Sequence, residues 1–252
     1  MADRYYVETP ITGPQARLVG GEAHHLSNVM RAKPGQAVIL FDGSGAEFEA
    51  RIETVGRSEV TLCVVARVEA VRESKRRLTL AVSLPKGERQ RWLVEKATEL
   101  GVARIVPLMT ARSVAQPVAA ALARLRRAVV EASKQCGRNR LMEIGEAQRW
   151  SDFVHCAPTA ATRWVAHRSL TDERQFAGDG PIAILPRTQP ANAQREVVVA
   201  IGPEGGFTEE EVAIALETGW RQLDLGPRIL RVETAAVAVA AWATFGDEGS
   251  QA

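Results

Sequence analysis

Two passages near the C-terminus constrain the fold of this chain most. Val197-Val198-Val199-Ala200-Ile201 runs into Gly202-Pro203-Glu204-Gly205-Gly206-Phe207-Thr208. Leu223-Asp224-Leu225 runs into Gly226-Pro227-Arg228-Ile229-Leu230-Arg231-Val232-Glu233-Thr234-Ala235-Ala236. Each reads as a strand, a turn and a helix. Upstream, Leu78 to Leu84 is a continuous apolar run of the kind buried on both faces of a parallel sheet. After a polar loop from Pro85 to Gln90, Arg91 to Leu100 reads as a helix stopped by Gly101. Arg104 to Leu108 is the next strand, and Ala119 to Gln135 is a long amphipathic helix. Trp164 to Ala166 and Ile182 to Leu185 are further strand candidates. Alternating strands and helices predict an α/β domain with a parallel sheet. The last helix, Glu233 to Phe245, is apolar nearly all round and needs burial on several sides, in a domain core or in a dimer interface.

The first part of the chain has a different period. Val38 to Phe41 ends in the turn Asp42-Gly43-Ser44-Gly45, and Glu47 to Glu53 alternates polar and apolar like a half-buried strand. Val60 to Val65 returns after the turn at Val55 to Ser58. Short strands at this spacing predict a small sheet or barrel. Gly21 to Arg31 has helical spacing. Glu73 to Arg77 reads as a linker, giving expected domains at 1–72 and 78–252. A chain of 252 residues, 46% hydrophobic, is long enough for this division.

Net charge is only +2, so distribution matters more than the total. Basic clusters fall at Lys75-Arg76-Arg77, Lys86 to Arg91, Arg124-Arg126-Arg127 and Lys134 to Arg140. A solvated face accounts for any one of them; four between residues 75 and 140 point to nucleic acid. Cys63, Cys136 and Cys156 lie far apart, which is neither a disulfide framework nor a zinc spacing. His24 and His25 are adjacent and point apart, so no metal site is expected. The start, Met1 to Tyr5, shows no apolar signal region, and no apolar run is long enough for a membrane span. The expectation is a cytoplasmic protein.

The two glycine turns expose backbone amides and carbonyls without side chains in the way, which suits holding a flat polar molecule by its edges. Gly202 to Gly206 lacks both the ending of a phosphate loop and the spacing of a dinucleotide fold, and Pro203 removes one amide donor. Thr208 before Glu209-Glu210-Glu211 is a helix N-cap. Those glutamates would repel a phosphate, so an uncharged or cationic ligand fits better. A structural turn, and simple helix packing after Leu230, remain the alternatives. Lys134-Gln135-Cys136-Gly137-Arg138-Asn139-Arg140 groups side chains used on phosphates and base edges; a solvated helix end is the alternative there. Cys136 reads as a small inert thiol rather than a nucleophile.

These segments, with His25 to Arg31, Lys86-Gly87-Glu88-Arg89, Glu95-Lys96-Ala97-Thr98-Glu99-Leu100-Gly101-Val102 and Glu131 to Arg138, resemble the knotted SPOUT superfamily of methyltransferases. Within it they resemble the RsmE family, which methylates N3 of a uridine in 16S ribosomal RNA. The resemblance spans nearly the whole chain, is thin between Trp150 and Arg195, and departs where Met30 stands for the usual leucine.

The resemblance implies an N-terminal PUA-like β-barrel that binds RNA and a C-terminal α/β domain with a deep trefoil knot. It implies a homodimer, with 16S rRNA of the small ribosomal subunit as partner and no metal. It implies S-adenosylmethionine held by Ile201, Gly202, Pro203, Glu204, Gly205, Gly206, Leu225, Gly226, Ile229, Leu230, Glu233, Thr234 and Ala235. Arg138, then Arg231 and Lys134, are the expected cations that favour the N3 anion. Arg4, Arg31, Lys86, Arg89, Arg112, Lys134 and Gln135 are expected on RNA. Rival readings are a knotted methyltransferase acting on a ribose 2′-hydroxyl or on tRNA, and a non-catalytic RNA-binding or ribosome-assembly factor.

Overall fold

A computed structural model describes residues 3–70, 72–114, 118–167 and 196–245. The chain divides into two compact units, Met1–Glu73 with Val130–Leu141, and Ser74–Val129 with Met142–Ala252. The strand candidate at 182–185 lies outside the described residues.

The first unit is built on a five-stranded sheet. Its strands are β1 (Arg4–Tyr6), β2 (Gln15–Val19), β3 (Ala37–Phe41), β4 (Ala46–Val55) and β5 (Glu59–Glu69), in the order β1-β3-β4-β5-β2. β1 runs parallel to β3, while the other pairs are antiparallel. The alternation in β4 works as its period requires: Ala46, Phe48, Ala50 and Ile52 face the core and the residues between them do not. The β4–β5 register shifts twice, with Val65 the extra residue on β5 after Glu49 and Glu53 the extra residue on β4 after Ile52. The single helix expected over Gly21–Arg31 is instead an α-helical turn, α1 (Gly20–His24), followed by a π-helical turn, His25–Val29. Leu26 is fully buried and pins this segment to the core. Arg31 then takes a left-handed φ of 50°, which ends the helix.

The second unit is an all-parallel sheet with helices. It contains β6 (Arg77–Val82), α2 (Glu88–Glu99), β7 (Arg104–Met109), the start of α3 (Ala119–Cys136), β8 (Glu143–Ile144), β9 (Gln148–Arg149) and α4 (Trp150–Cys156). It continues with β10 (Thr162–Ala166), β11 (Glu196–Ile201), α5 (Glu209–Glu217), β12 (Arg221–Leu223) and α6 (Val232–Phe245). The strand order is β12-β10-β11-β6-β7-β8, with β9 paired to β7. β6 and β11 form its centre, and all but their first residues are buried, as helices on both faces demand. From Val130 onward, α3 belongs to the first unit.

Three details differ from the sequence reading. α2 begins at Glu88 rather than Arg91, because Gly87 adopts a φ of 68° that other residues resist. β12 stops at Leu223 rather than Leu225, because the Asp224 carboxylate accepts a hydrogen bond from the Gly226 amide at 2.8 Å and turns the chain. The helix α4 carries no family-like motif, yet it supplies Trp150 and Phe153 to an aromatic cluster with Phe207 and Trp220. Trp150 also donates its indole N–H to the Glu211 carbonyl at 3.0 Å, and Trp220 donates to that of Val154 at 3.0 Å. This cluster fixes α5 and the glycine turn that precedes it.

Candidate cofactor site

The sheet order sets the place of the site. β10 lies between β11 and β12, and its last residue, Ala166, is in register with both Ile201 and Leu223. The chain leaves β11 and β12 at those two residues, so the two glycine turns flank one crevice at the carboxyl end of the sheet. In open parallel sheets this point, where neighbouring connections diverge, is where ligands bind. A cleft of about 330 Å³ opens there, lined by both turns.

The first turn has no room for side chains at its root. A Cβ on Gly202 would stand 3.0 Å from the Phe207 ring and 3.1 Å from the Phe207 amide nitrogen. Gly206 donates its amide to the Pro203 carbonyl at 2.8 Å and has a φ of 68°. Thr208 then caps α5: its hydroxyl accepts from the Glu211 amide at 3.2 Å, and its own amide donates to the Glu211 carboxylate at 2.9 Å. The same carboxylate accepts from the Ala111 amide at 2.8 Å. Glu211 is therefore spent on the backbone. Arg112, expected on RNA, lines the cleft instead and donates to the Gly205 carbonyl at 2.7 Å.

Of the residues expected to hold a cofactor, Ile201, Gly202, Pro203, Glu204, Gly205, Gly206, Leu225, Gly226, Ile229, Leu230 and Ala235 line the cleft. Ile229 is 85% exposed among the lining residues. Thr234 is exposed on α6 and Glu233 is buried; neither lines the cleft. Arg231 is exposed at the start of α6. Asp224, Arg228 and His167 also line the cleft and were not anticipated. Burial, with Arg112 adding to it, holds the His167 imidazole below its ordinary pKa, so the neutral ring is favoured. The strand end at Ala166 was legible in the sequence, but the strand order that brings the next residue to the crevice was not.

Beside the cleft, the Arg89 guanidinium stands 3.2 Å from the Glu204 carboxylate and 3.7 Å from that of Glu233. Lys86 is exposed just before α2.

The remaining expected residues belong to the first unit. Arg138 is 5% exposed and grips Glu73 through two hydrogen bonds, 2.8 and 2.7 Å long. Lys134 pairs with Glu22 at 2.9 Å and lies over the Tyr5 ring. Arg4 bonds Asn139 and pairs with Glu47 at 2.9 Å, while Arg72 reaches the same carboxylate at 2.7 Å. Hydrogen bonding from Arg72, with help from Arg4, lowers the Glu47 pKa to about 2. Arg31 and Gln135 are exposed. Arg138, Lys134 and Arg4 are thus matched by carboxylates, whereas Arg31, Gln135 and Lys86 face solvent. Among the described residues no group of histidine, cysteine, aspartate or glutamate is arranged to hold a metal ion, and no helix is long and apolar enough to cross a membrane.

Known proteins resemble this chain in sequence and fold along most of its length. Residues 72–244 match an RNA methyltransferase domain, and residues 19–64 match an RNA methyltransferase PUA domain. The ribosomal RNA small subunit methyltransferase E of Bacillus subtilis is 30% identical over 92% of this chain and 92% of its own. That of Mycobacterium tuberculosis is 31% identical over 92% of this chain and 87% of its own. The crystal structure of the Neisseria gonorrhoeae enzyme of that name, bound to S-adenosyl methionine, superposes with a TM-score of 0.79 at 28% identity, covering 96% of each chain. A Legionella pneumophila methyltransferase in complex with the same cofactor gives a TM-score of 0.82 at 30% identity, covering 96% of this chain and 97% of that one. With both of its domain models matched and relatives of one name along nearly its full length, the chain belongs to the ribosomal RNA small subunit methyltransferase E family.

Proposed function

We propose that this chain methylates N3 of a uridine in 16S ribosomal RNA, using S-adenosylmethionine, and that it acts as a homodimer in the cytoplasm. The observation that carries this reading is the cleft between the two glycine turns. Its walls suit the cofactor: the Gly202 cradle lets a planar ring lie on backbone, and Asp224 and Glu204 offer negative charge to a sulfonium. The cofactor, when bound, supplies an electrophilic methyl group. The α/β unit is read as carrying the trefoil knot of the superfamily.

The chain's own residues must present a base and stabilise its anion. The N3 proton of uracil is weakly acidic and is hidden in pairing, so the base has to be unstacked first. A cation beside it favours the deprotonated ring. Arg231 is exposed at the start of α6, next to the cleft-lining Leu230 and Val232, and takes this role here. Arg138 is already neutralised by Glu73; it holds the 130–141 segment in the first unit. Arg31, Lys86 and Gln135 offer exposed groups to the RNA backbone. N3 is itself the nucleophile, so Cys136 takes no part. Holding the two reactants in line supplies much of the rate. Trp92 on α2 and Phe245 on α6, 44% and 61% exposed, offer apolar surface to a second copy.

The test is methyl transfer from labelled S-adenosylmethionine to small subunits lacking the modification, with nucleoside analysis. N3-methyluridine supports the proposal. A 2′-O-methyl product, or transfer only to tRNA, replaces it with another knotted methyltransferase. Cofactor binding without transfer to any RNA points to an assembly factor.

A further inference from the structure

Methylation at N3 needs an acceptor for the N3 proton of uracil. That proton lies along the same in-plane direction from which the methyl group arrives. It must leave before N3 attacks, and its acceptor must stand where the two reactants meet, ~3–3.5 Å apart. Among the described residues, five ionisable side chains line the cleft: Arg112, His167, Glu204, Asp224 and Arg228. A guanidinium offers no acceptor. Asp224 accepts from the Gly226 amide at 2.8 Å and holds the second turn. The Glu204 carboxylate is 46% exposed and stands 3.2 Å from Arg89. His167 remains.

The backbone of His167 is tied down on the β12 side. Its amide donates to the Leu223 carbonyl at 3.1 Å, and the Gln222 side chain donates to its carbonyl at 3.1 Å. These bonds engage the backbone alone. The residue itself is half-buried and follows Ala166, which is in register with the strand ends that launch both turns. Charged groups act on the ring from three elements: Arg112 after β7, Glu209 at the start of α5 and Asp224 after β12. Burial and Arg112 outweigh the two acids, so the ring is neutral at pH 7. We propose that His167 is the general base of the methyl transfer and takes the N3 proton of the target uracil. This rests on the reading that the cleft serves methylation at N3. The N3–H bond breaks, and the proton goes to a ring nitrogen of His167. The electron pair left on N3 forms the bond to the methyl carbon, and the carbon–sulfur bond breaks with its pair kept by sulfur. The imidazolium supports the N3 anion alongside Arg231 and then gives its proton to water.

The test pairs kinetics with a direct titration of the ring. In proton NMR of the full chain, the His167 resonance, identified by its loss in His167→Gln, should titrate below 6.5. On small subunits lacking the modification, wild-type kcat/KM should fall below that same midpoint and level off above it, because only the neutral ring accepts a proton. His167→Gln should lose about a hundredfold or more at pH 7, and its remaining rate should climb about tenfold per pH unit as hydroxide takes the proton instead. Calorimetric titration with S-adenosylhomocysteine should give both proteins the same affinity. If His167→Gln fails to fold, His167→Ala takes its place and should regain rate with added imidazole; no rescue overturns the proposal. A folded His167→Gln that keeps the wild-type rate or the wild-type limb also overturns it, as does a kinetic limb away from the NMR midpoint. An affinity for S-adenosylhomocysteine that falls as far as the rate makes the ring a cofactor contact and not the base. Wild-type protein that yields no N3-methyluridine overturns the underlying reading together with the base.

Discussion

Gly202 shows how much a single residue decides. Its neighbours leave no space for a methyl group: the Phe207 amide is backbone and the Phe207 ring is locked in an aromatic cluster. Gly202→Ala must push the turn outward, and cofactor affinity should fall by about tenfold or more while the fold persists; titration with S-adenosylhomocysteine and a melting curve would separate these. Glu47 makes a case in the first unit. Its carboxyl is depressed from 4.5 to about 2 by Arg72 and Arg4. A depressed acid stabilises the fold above its unfolded pKa, and this stabilisation is lost as pH falls from 4.5 toward 2. Glu47→Gln should remove that limb from a plot of stability against pH; an unchanged acid limb would show that the pairs contribute nothing. The roles of Arg138 and Arg4 could not be foreseen from type and spacing. An arginine in a basic run looks available for RNA until its carboxylate partner, here Glu73 or Glu47, arrives from elsewhere in the unit.

At the scale of elements, α5 was the most legible. Thr208 followed by Glu211 is a capping box, and both reciprocal hydrogen bonds form. Thr208→Ala should cost about 1 kcal/mol in urea unfolding. Because the cap closes the glycine turn, weakened cofactor binding should accompany it; a loss of stability with intact binding would uncouple the two. α4 is the opposite case. Its short sequence from Trp150 shows no helical repeat long enough to read, and its value lies in distant partners, Phe207 and Trp220. Trp150→Ala should therefore destabilise the protein by about 3–5 kcal/mol, measured by chemical denaturation. The π-helical turn after α1 was also illegible, since its register is set by the burial of Leu26 and by Arg31 beyond it.

For the whole molecule, the final helix raises the question of assembly. α6 buries Val232, Ala235, Ala236, Val239, Ala240 and Ala243, yet leaves Phe245 largely exposed. With Trp92→Asp and Phe245→Asp together, light scattering should find a monomer if this surface joins two copies; an unchanged mass would move the interface elsewhere. The sequence by itself determined the classes of structure. Period two in 47–53 made a half-buried strand, the mostly apolar run at 78–84 and the apolar run at 197–201 made a buried parallel sheet, and the glycines made two open turns. Those are local effects, settled by side-chain size and backbone freedom within a few residues. Only the tertiary structure decided that β10 lies between β11 and β12, which puts His167 in the crevice, and that Arg89, Glu204 and Glu233 meet. Strand order and charge pairing are set by burial and Coulomb attraction between residues far apart in the chain, and no window of sequence contains both partners.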